Sequence, residues 1–152
     1  MIEIKDLNVS ALNKNILHAV NVSVDKGRIH AIVGPHNSGK TTLLHAIMGN
    51  PSLETSGSIF MNGKNIETMA TDERAMHGLF LSFQNPPKIQ GISNFGIVRE
   101  ILQNSTPELL NKYKNEAVKI GLNKGWSSKS LNYDSNNDER KKNEMIQVIM
   151  LN

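Results

Sequence analysis

The chain has 152 residues, 38% of them hydrophobic, and a net charge of +3. That length holds one domain or part of one. The absence of cysteine excludes disulfides, thiolate metal sites and cysteine-ligated clusters. Basic residues are dispersed, with one dense group at Arg140-Lys141-Lys142, and aromatics make up 5% of the chain, so no nucleic-acid stacking surface is expected. No apolar run reaches the length of a membrane span, and Met1-Ile2-Glu3-Ile4-Lys5 alternates like a strand and lacks the basic-then-apolar pattern of a signal peptide. The expected setting is a reducing one: cytoplasm, or plastid stroma for an organelle-encoded chain.

Alternation at Ile2, Ile4, Leu7 and Val9 predicts a first strand, and Ile16, Leu17, Val20, Val22 and Val24 predict a second. Asp25-Lys26-Gly27 turns the chain. Ile29-His30-Ala31-Ile32-Val33 is a short apolar run of the buried-strand kind and leads into Gly34-Pro35. Lys40 to Met48 reads as a helix with Leu43, Leu44 and Ile47 on one face, stopped by Gly49-Asn50-Pro51. Gly57 to Met61 predicts another strand, Asn62-Gly63 a hairpin turn, and Thr71 the N-cap of a short helix. Leu79 to Phe83 is a second buried-strand candidate, ended by Gln84-Asn85-Pro86-Pro87. From Ser93 onward the spacing turns helical, over 94–103 and 107–120, with Gly121 closing the second segment. Residues 123–138 read as a polar loop. Glu139 to Leu151 reads as a last helix turning Met145, Ile149 and Ile146 toward a core. The fold class is α/β.

Gly34-Pro35-His36-Asn37-Ser38-Gly39-Lys40-Thr41 spells the Gly-x-x-x-x-Gly-Lys-Thr pattern, between an apolar run and a helix as the motif requires. A backbone that wraps a phosphate needs small or left-handed-tolerant residues, which Gly34, Asn37, Ser38 and Gly39 supply. Inward N–H groups and the helix N-terminus favour an anion. In this reading Lys40 reaches the β- and γ-phosphates, Thr41 ligates magnesium and Thr42 donates to the α-phosphate. His36 lies in the loop near the phosphates. The motif specifies a triphosphate with magnesium and leaves the base open.

The stretch from Gly34 through Thr42 to Leu43 resembles the Walker A segment of ABC-type ATPases, and Phe80-Leu81-Ser82-Phe83-Gln84-Asn85-Pro86 resembles their Q-loop. Pro87-Lys88-Ile89-Gln90-Gly91-Ile92-Ser93-Asn94 and Lys142-Asn143-Glu144-Met145-Ile146-Gln147 are similar to stretches of the SufC family, the ATPase subunits of Suf iron–sulfur cluster assembly. The resemblance implies an incomplete P-loop ABC-ATPase nucleotide-binding domain with an antiparallel β subdomain and a helical subdomain. It divides the chain into a β subdomain and P-loop core at 1–91, a helical subdomain at 92–138 and a post-signature helix at 139–152. It implies ATP and Mg as ligands, with Thr41 and Gln84 at the metal. It also implies SufB- and SufD-like scaffold partners and an ATP-dependent homodimer. A degenerate scaffold and a transporter's nucleotide-binding subunit are the alternatives.

Departures from the family qualify that expectation. Counted back without a gap, the family's Ser-Gly-Gly-Glu signature falls on Asn136-Asn137-Asp138-Glu139. Asp138 would bring an anion toward a phosphate, a repulsion of roughly 4 kcal/mol for unit charges about 4 Å apart at an effective dielectric near 20. A one-residue shift would put Ser135 at the serine position instead. The chain stops before the family's Walker B strand, so its acidic pair and switch histidine are not expected among these residues. The catalytic base stays unknown, and hydrolysis near background is expected. His18, His30, His45 and His77 read as ordinary histidines. Val9-Ser10-Ala11-Leu12 offers no aromatic for stacking a base.

Overall fold

The computed structural model describes residues 1–133 and 135–151. The chain divides into two compact units, Met1–Leu81 and Ser82–Asn152.

In the first unit, β1 (Ile2–Ala11) and β2 (Lys14–Val24) form a hairpin closed by Leu12 and Asn13, both in the left-handed region at φ 50° and 60°. Two positive φ values in a two-residue loop match the right-handed twist of the flanking strands. Next come α1 (Lys40–Ile47), β3 (Glu54–Met61), β4 (Lys64–Asn65) and α2 (Thr71–Met76). The sheet is wholly antiparallel, in the order β2-β1-β3-β4. A register shift bulges β1 between Lys5 and Asn8, opposite Gly57. A Cβ at Gly57 would stand 2.5 Å from the Asp6 carbonyl oxygen, and its φ is 111°, so only glycine fits there. Ile4, Leu7, Val9, Leu17, Leu43, Ala46, Ile59 and Ile66 form the core, with the P-loop helix contributing Leu43 and Ala46. Leu44, expected on the apolar face, is 44% exposed.

Two expected strands do not form. Residues 29–33 and 79–83 have no strand assignment, and Ile29 and Val33 are 100% and 86% exposed. A strand is held by its ladder, and among the described residues no neighbour pairs with either run. Both runs have strand composition, but apolar content becomes sheet only with partner strands. Thr71 is also displaced from its expected role. Ala70 stands at the N-cap of α2, with Glu73 Oε2 accepting from its N–H at 2.8 Å, while the Thr71 hydroxyl donates to the Gly49 carbonyl at 2.7 Å.

Arg74 is the organising side chain of this unit's helical end. It is 3% exposed and donates to four backbone carbonyls: Met69 at 3.0 Å, Ala46 at 2.9 Å, Ile47 at 2.8 Å and Glu67 at 2.6 Å. Ala46 and Ile47 are in the last turn of α1, so the guanidinium satisfies orphan carbonyls and meets the negative helix end. Burial lowers its affinity for the proton, and Glu67 partly restores it. We predict that Arg74→Met destabilises the first unit by about 2–4 kcal/mol, because buried carbonyls lose charged donors. Urea unfolding measures this, and a loss within experimental scatter would remove Arg74 from that role.

The second unit contains β5 (Ile89–Ser93), α3 (Asn94–Leu102), α4 (Pro107–Lys119), a 3-10 turn at Lys124–Ser128, β6 (Ser130–Leu131) and α5 (Asn137–Leu151). β5 and β6 pair antiparallel, so this region is not purely helical as expected. Ser93 and Thr106 cap α3 and α4 by accepting from the N–H groups of Gly96 and Leu109. The core gathers Val98, Tyr113, Ala117, Leu122, Trp126, Ile146 and Met150. The expectation for α5 holds for Ile146 and is corrected for Met145 and Ile149. Ile146 and Met150 face inward, whereas Met145 and Ile149 are 54% and 37% exposed. The helix is rotated because Asn143, not an apolar residue, is fully buried one turn earlier.

Asn143 uses its whole hydrogen-bonding inventory. Its Oδ1 accepts from Tyr113 Oη and Trp126 Nε1, both at 3.1 Å, and its Nδ2 donates to Asn94 Oδ1 at 2.9 Å and Asn132 Oδ1 at 3.0 Å. Burial pushes the Tyr113 phenol well above its ordinary value of 10.0. Because the folded state holds the phenol neutral, that stability is present below pH 10 and falls away as pH rises beyond it. Tyr113→Phe should therefore cost about 1 kcal/mol at neutral pH and flatten the alkaline decline. Denaturant titrations followed by Trp126 fluorescence, at neutral pH and above pH 10, test this; an equally steep decline in the variant would exclude Tyr113 as its source.

Candidate functional site

The P-loop occupies residues 34–41 of the first unit. Gly34 to Ser38 are exposed, and Gly39 is buried at the start of α1. Two backbone positions make the loop possible. Gly39 has φ 86°, and a Cβ there would lie 2.5 Å from Leu17 Cδ2, so the loop sits tight on β2. Asn37 adopts φ 62°, which asparagine tolerates better than most residues. At the other end, a Cβ on Gly34 would stand 2.9 Å from Ser38 Oγ. Ser38 N–H closes the turn on the Pro35 carbonyl at 3.4 Å.

Lys40 folds back over this loop. Its Nζ donates to the Gly34 carbonyl at 2.9 Å, the Pro35 carbonyl at 2.5 Å and Ser38 Oγ at 3.2 Å. An ammonium has three donors, so all of them are committed to the loop's own oxygens. An incoming phosphate would compete with these acceptors for Lys40 while meeting the N-terminal end of α1. The loop is therefore pre-shaped with its cation already in place. Thr41 is exposed and Thr42 half-buried, and among the described residues neither hydroxyl is hydrogen-bonded. His36 is exposed in the loop. No group of three or more His, Cys, Asp or Glu side chains that could hold a metal stands together among the described residues. The donor set fits magnesium ligated by a threonine hydroxyl together with phosphate oxygens, as P-loop sites use. Gln84 lies in the second unit, exposed, and its side chain makes no hydrogen bond among the described residues.

The region read as the signature is a closed helix start. Asn136 Oδ1 accepts from Glu139 N–H at 2.9 Å, and Glu139 Oε2 accepts from Asn136 N–H at 3.0 Å. This is a reciprocal capping box with asparagine in place of serine. Asn136, which stands where the family has serine, supplies the capping oxygen at this helix start. Asp138 is exposed and paired with Lys142 at 2.7 Å, so its charge is partly offset within α5. The hydroxyl of Ser135 donates to the Asn132 carbonyl at 2.6 Å, and the side chain is buried. Arg140 donates to the Ser135 carbonyl at 3.1 and 2.7 Å. We predict that Asn136→Ala costs about 1 kcal/mol and that Asn136→Ser restores nearly all of it. Thermal unfolding of the three proteins decides this, and equal stability of all three would discard the cap.

A protein-family model described as ABC transporter matches residues 17–147. A probable ABC transporter ATP-binding protein of Streptococcus pyogenes serotype M3 is 37% identical over 99% of this chain and 62% of its own length. Vegetative protein 296 of Bacillus subtilis is 36% identical over 97% of this chain and 60% of its own. A probable ATP-dependent transporter, ycf16, of Pyropia yezoensis is 35% identical over 99% of this chain and 64% of its own. Among solved structures, an ATP-binding subunit of an ABC transporter superposes with a TM-score of 0.79 at 19% identity, covering 99% of this chain and 62% of that one. An ATP-binding cassette in its ADP conformation superposes with a TM-score of 0.74 at 21% identity, covering 99% and 64%. These two likenesses concern the fold. The chain spans less than two thirds of the length of these relatives. With a family match over most of its residues and an α/β architecture to suit, the chain belongs to the ABC transporter ATP-binding family.

Proposed function

We propose that this chain is a nucleotide-binding subunit that holds Mg-ATP through Gly34, Pro35, His36, Asn37, Ser38, Gly39, Lys40, Thr41 and Thr42, with Thr41 and Gln84 serving the metal. The observation that carries the reading is the pre-shaped loop, with Lys40 Nζ held over it by the Gly34 and Pro35 carbonyls at the N-terminus of α1. The bound triphosphate would draw Lys40 away from those carbonyls, and the loop N–H groups and helix end would receive the phosphate charge.

Within that reading we place the chain in Suf-type assembly, acting on SufB- and SufD-like scaffold proteins and pairing with a second ATP-binding copy. Supporting this are the Gly91-Ile92-Ser93-Asn94 and Lys142-Asn143-Glu144 stretches, whose Asn94 and Asn143 meet directly at 2.9 Å. The second reading is an energising subunit of a membrane transporter, favoured by the relatives described as transporter proteins. Co-purification with SufB and SufD, against co-purification with a membrane permease, separates the two.

The nucleotide reading is tested by titrating wild type and Lys40→Ala with a fluorescent ATP analogue in excess magnesium. A charged hydrogen-bonding group lost from a phosphate site should weaken binding roughly 10- to 100-fold. Equal affinities would remove the P-loop as the binding site.

A further inference from the structure

Glu144 is a buried carboxylate that the nucleotide site does not account for. It is 5% exposed, on the inward face of α5 beside Asn143. One oxygen accepts from the Phe83 N–H at 2.9 Å, and the other accepts from Ser82 Oγ at 2.6 Å and Lys141 Nζ at 3.0 Å. Lys141 also donates to Ser82 Oγ at 3.0 Å and to the Phe83 carbonyl. Both backbone polar groups of Phe83 and the side chain of Ser82 are thus tied to two residues one helical turn apart on α5. The tied residues immediately precede Gln84. Ser82, Phe83 and Gln84 are themselves exposed, and no strand ladder runs through them. An exposed segment without a ladder has little else to fix its backbone.

We propose that Glu144, steadied by Lys141, is the positioning residue of Gln84, anchoring the backbone from which Gln84 is presented to α5. This rests on the nucleotide reading above for the role of Gln84, while the anchoring itself stands on the hydrogen bonds. Asn143 fixes the rotation and depth of α5 in the helical core, so the adjacent Glu144 carries that register to residues 82–83. A shift of α5 along its axis would move the carboxylate and the Phe83 backbone together. A buried carboxylate suits this task, because its charged hydrogen bonds hold a fixed geometry more strongly than neutral ones.

The test uses the whole chain and two readouts. Amide hydrogen exchange is compared in wild type, Glu144→Ala, Glu144→Gln and Ser82→Ala, with the amides of α4 reporting on the fold. Glu144→Ala should speed exchange at Phe83 and Gln84 roughly 10- to 100-fold, and Glu144→Gln, which keeps one acceptor oxygen, should speed it less. Exposed Ser82→Ala gives a smaller increase and serves if Glu144→Ala fails to fold. The second readout is affinity for the ATP analogue with magnesium and with EDTA. Glu144→Ala should lose the magnesium-dependent gain as Gln84→Ala does, whereas a general loss of structure would weaken binding in both buffers. Unchanged exchange at Phe83 and Gln84 overturns the proposal. So does a magnesium-dependent gain that survives in Glu144→Ala while Gln84→Ala abolishes it. Wild type that binds no nucleotide in either buffer overturns the nucleotide reading instead, and the exchange result then decides the anchoring alone.

Discussion

A buried primary amide has two donors and two acceptor lone pairs, and in Asn143 all four are matched by Tyr113, Trp126, Asn94 and Asn132. Those partners come from α4, the 3-10 turn, the start of α3 and the turn after β6, so one side chain sets how the elements of the helical unit meet. The network extends outward. Asn94 Nδ2 donates to the Trp126 carbonyl at 3.1 Å, and Asn132 Nδ2 reaches the Pro87 carbonyl at 2.9 Å. No buried side-chain polar atom lacks a partner among the described residues. Such a network specifies one arrangement where apolar packing alone would tolerate several, because each alternative strands a polar group in a low-dielectric interior. Replacing Asn143 itself would strand several of these partners at once, whereas removing the Tyr113 hydroxyl leaves Asn143 Oδ1 with Trp126 Nε1.

In the first unit, control is exerted at the two ends of one short helix. At its start, Gly39 allows a left-handed turn pressed against Leu17, and Lys40 gathers the loop's carbonyls. At its end, Arg74 arrives from α2 to satisfy Ala46 and Ile47. Eight residues are too few for a helix to hold itself in water. The phosphate-binding end of α1 therefore owes its persistence to packing of Leu43 and Ala46 and to a cation at the far end, some distance along the chain from the motif itself.

Sequence was informative wherever a local rule decided the outcome. The glycines and Lys40 of the P-loop, the hairpin turn at Asn62-Gly63, the two long helical segments and the stop at Gly121 follow from dihedral preference and periodicity. It failed where the outcome depended on distant partners. Runs 29–33 and 79–83 have strand composition, yet composition supplies no ladder. On α5 periodicity places Ile146 correctly but not Met145 and Ile149, because a period count treats Asn143 and Glu144 as polar surface, although both are buried against specific acceptors and donors. Arg74 and Glu144 are likewise illegible from spacing, since their worth lies in carbonyls and amides many residues away. The pairing of Asn136 with Glu139 is legible in principle, as an asparagine followed three residues later by a glutamate.

The unpaired run Ile29-His30-Ala31-Ile32-Val33 has a consequence of a different order. Among the described residues no strand pairs with its backbone, its β-branched side chains face water, and its five residues carry no formal charge apart from the titratable His30. Two copies brought together could satisfy each other's ladders. The charge that keeps copies apart is +3 over the whole chain, and at physiological ionic strength it is screened beyond about 8 Å. An exposed apolar strip is thus opposed only by a thin electrostatic shell.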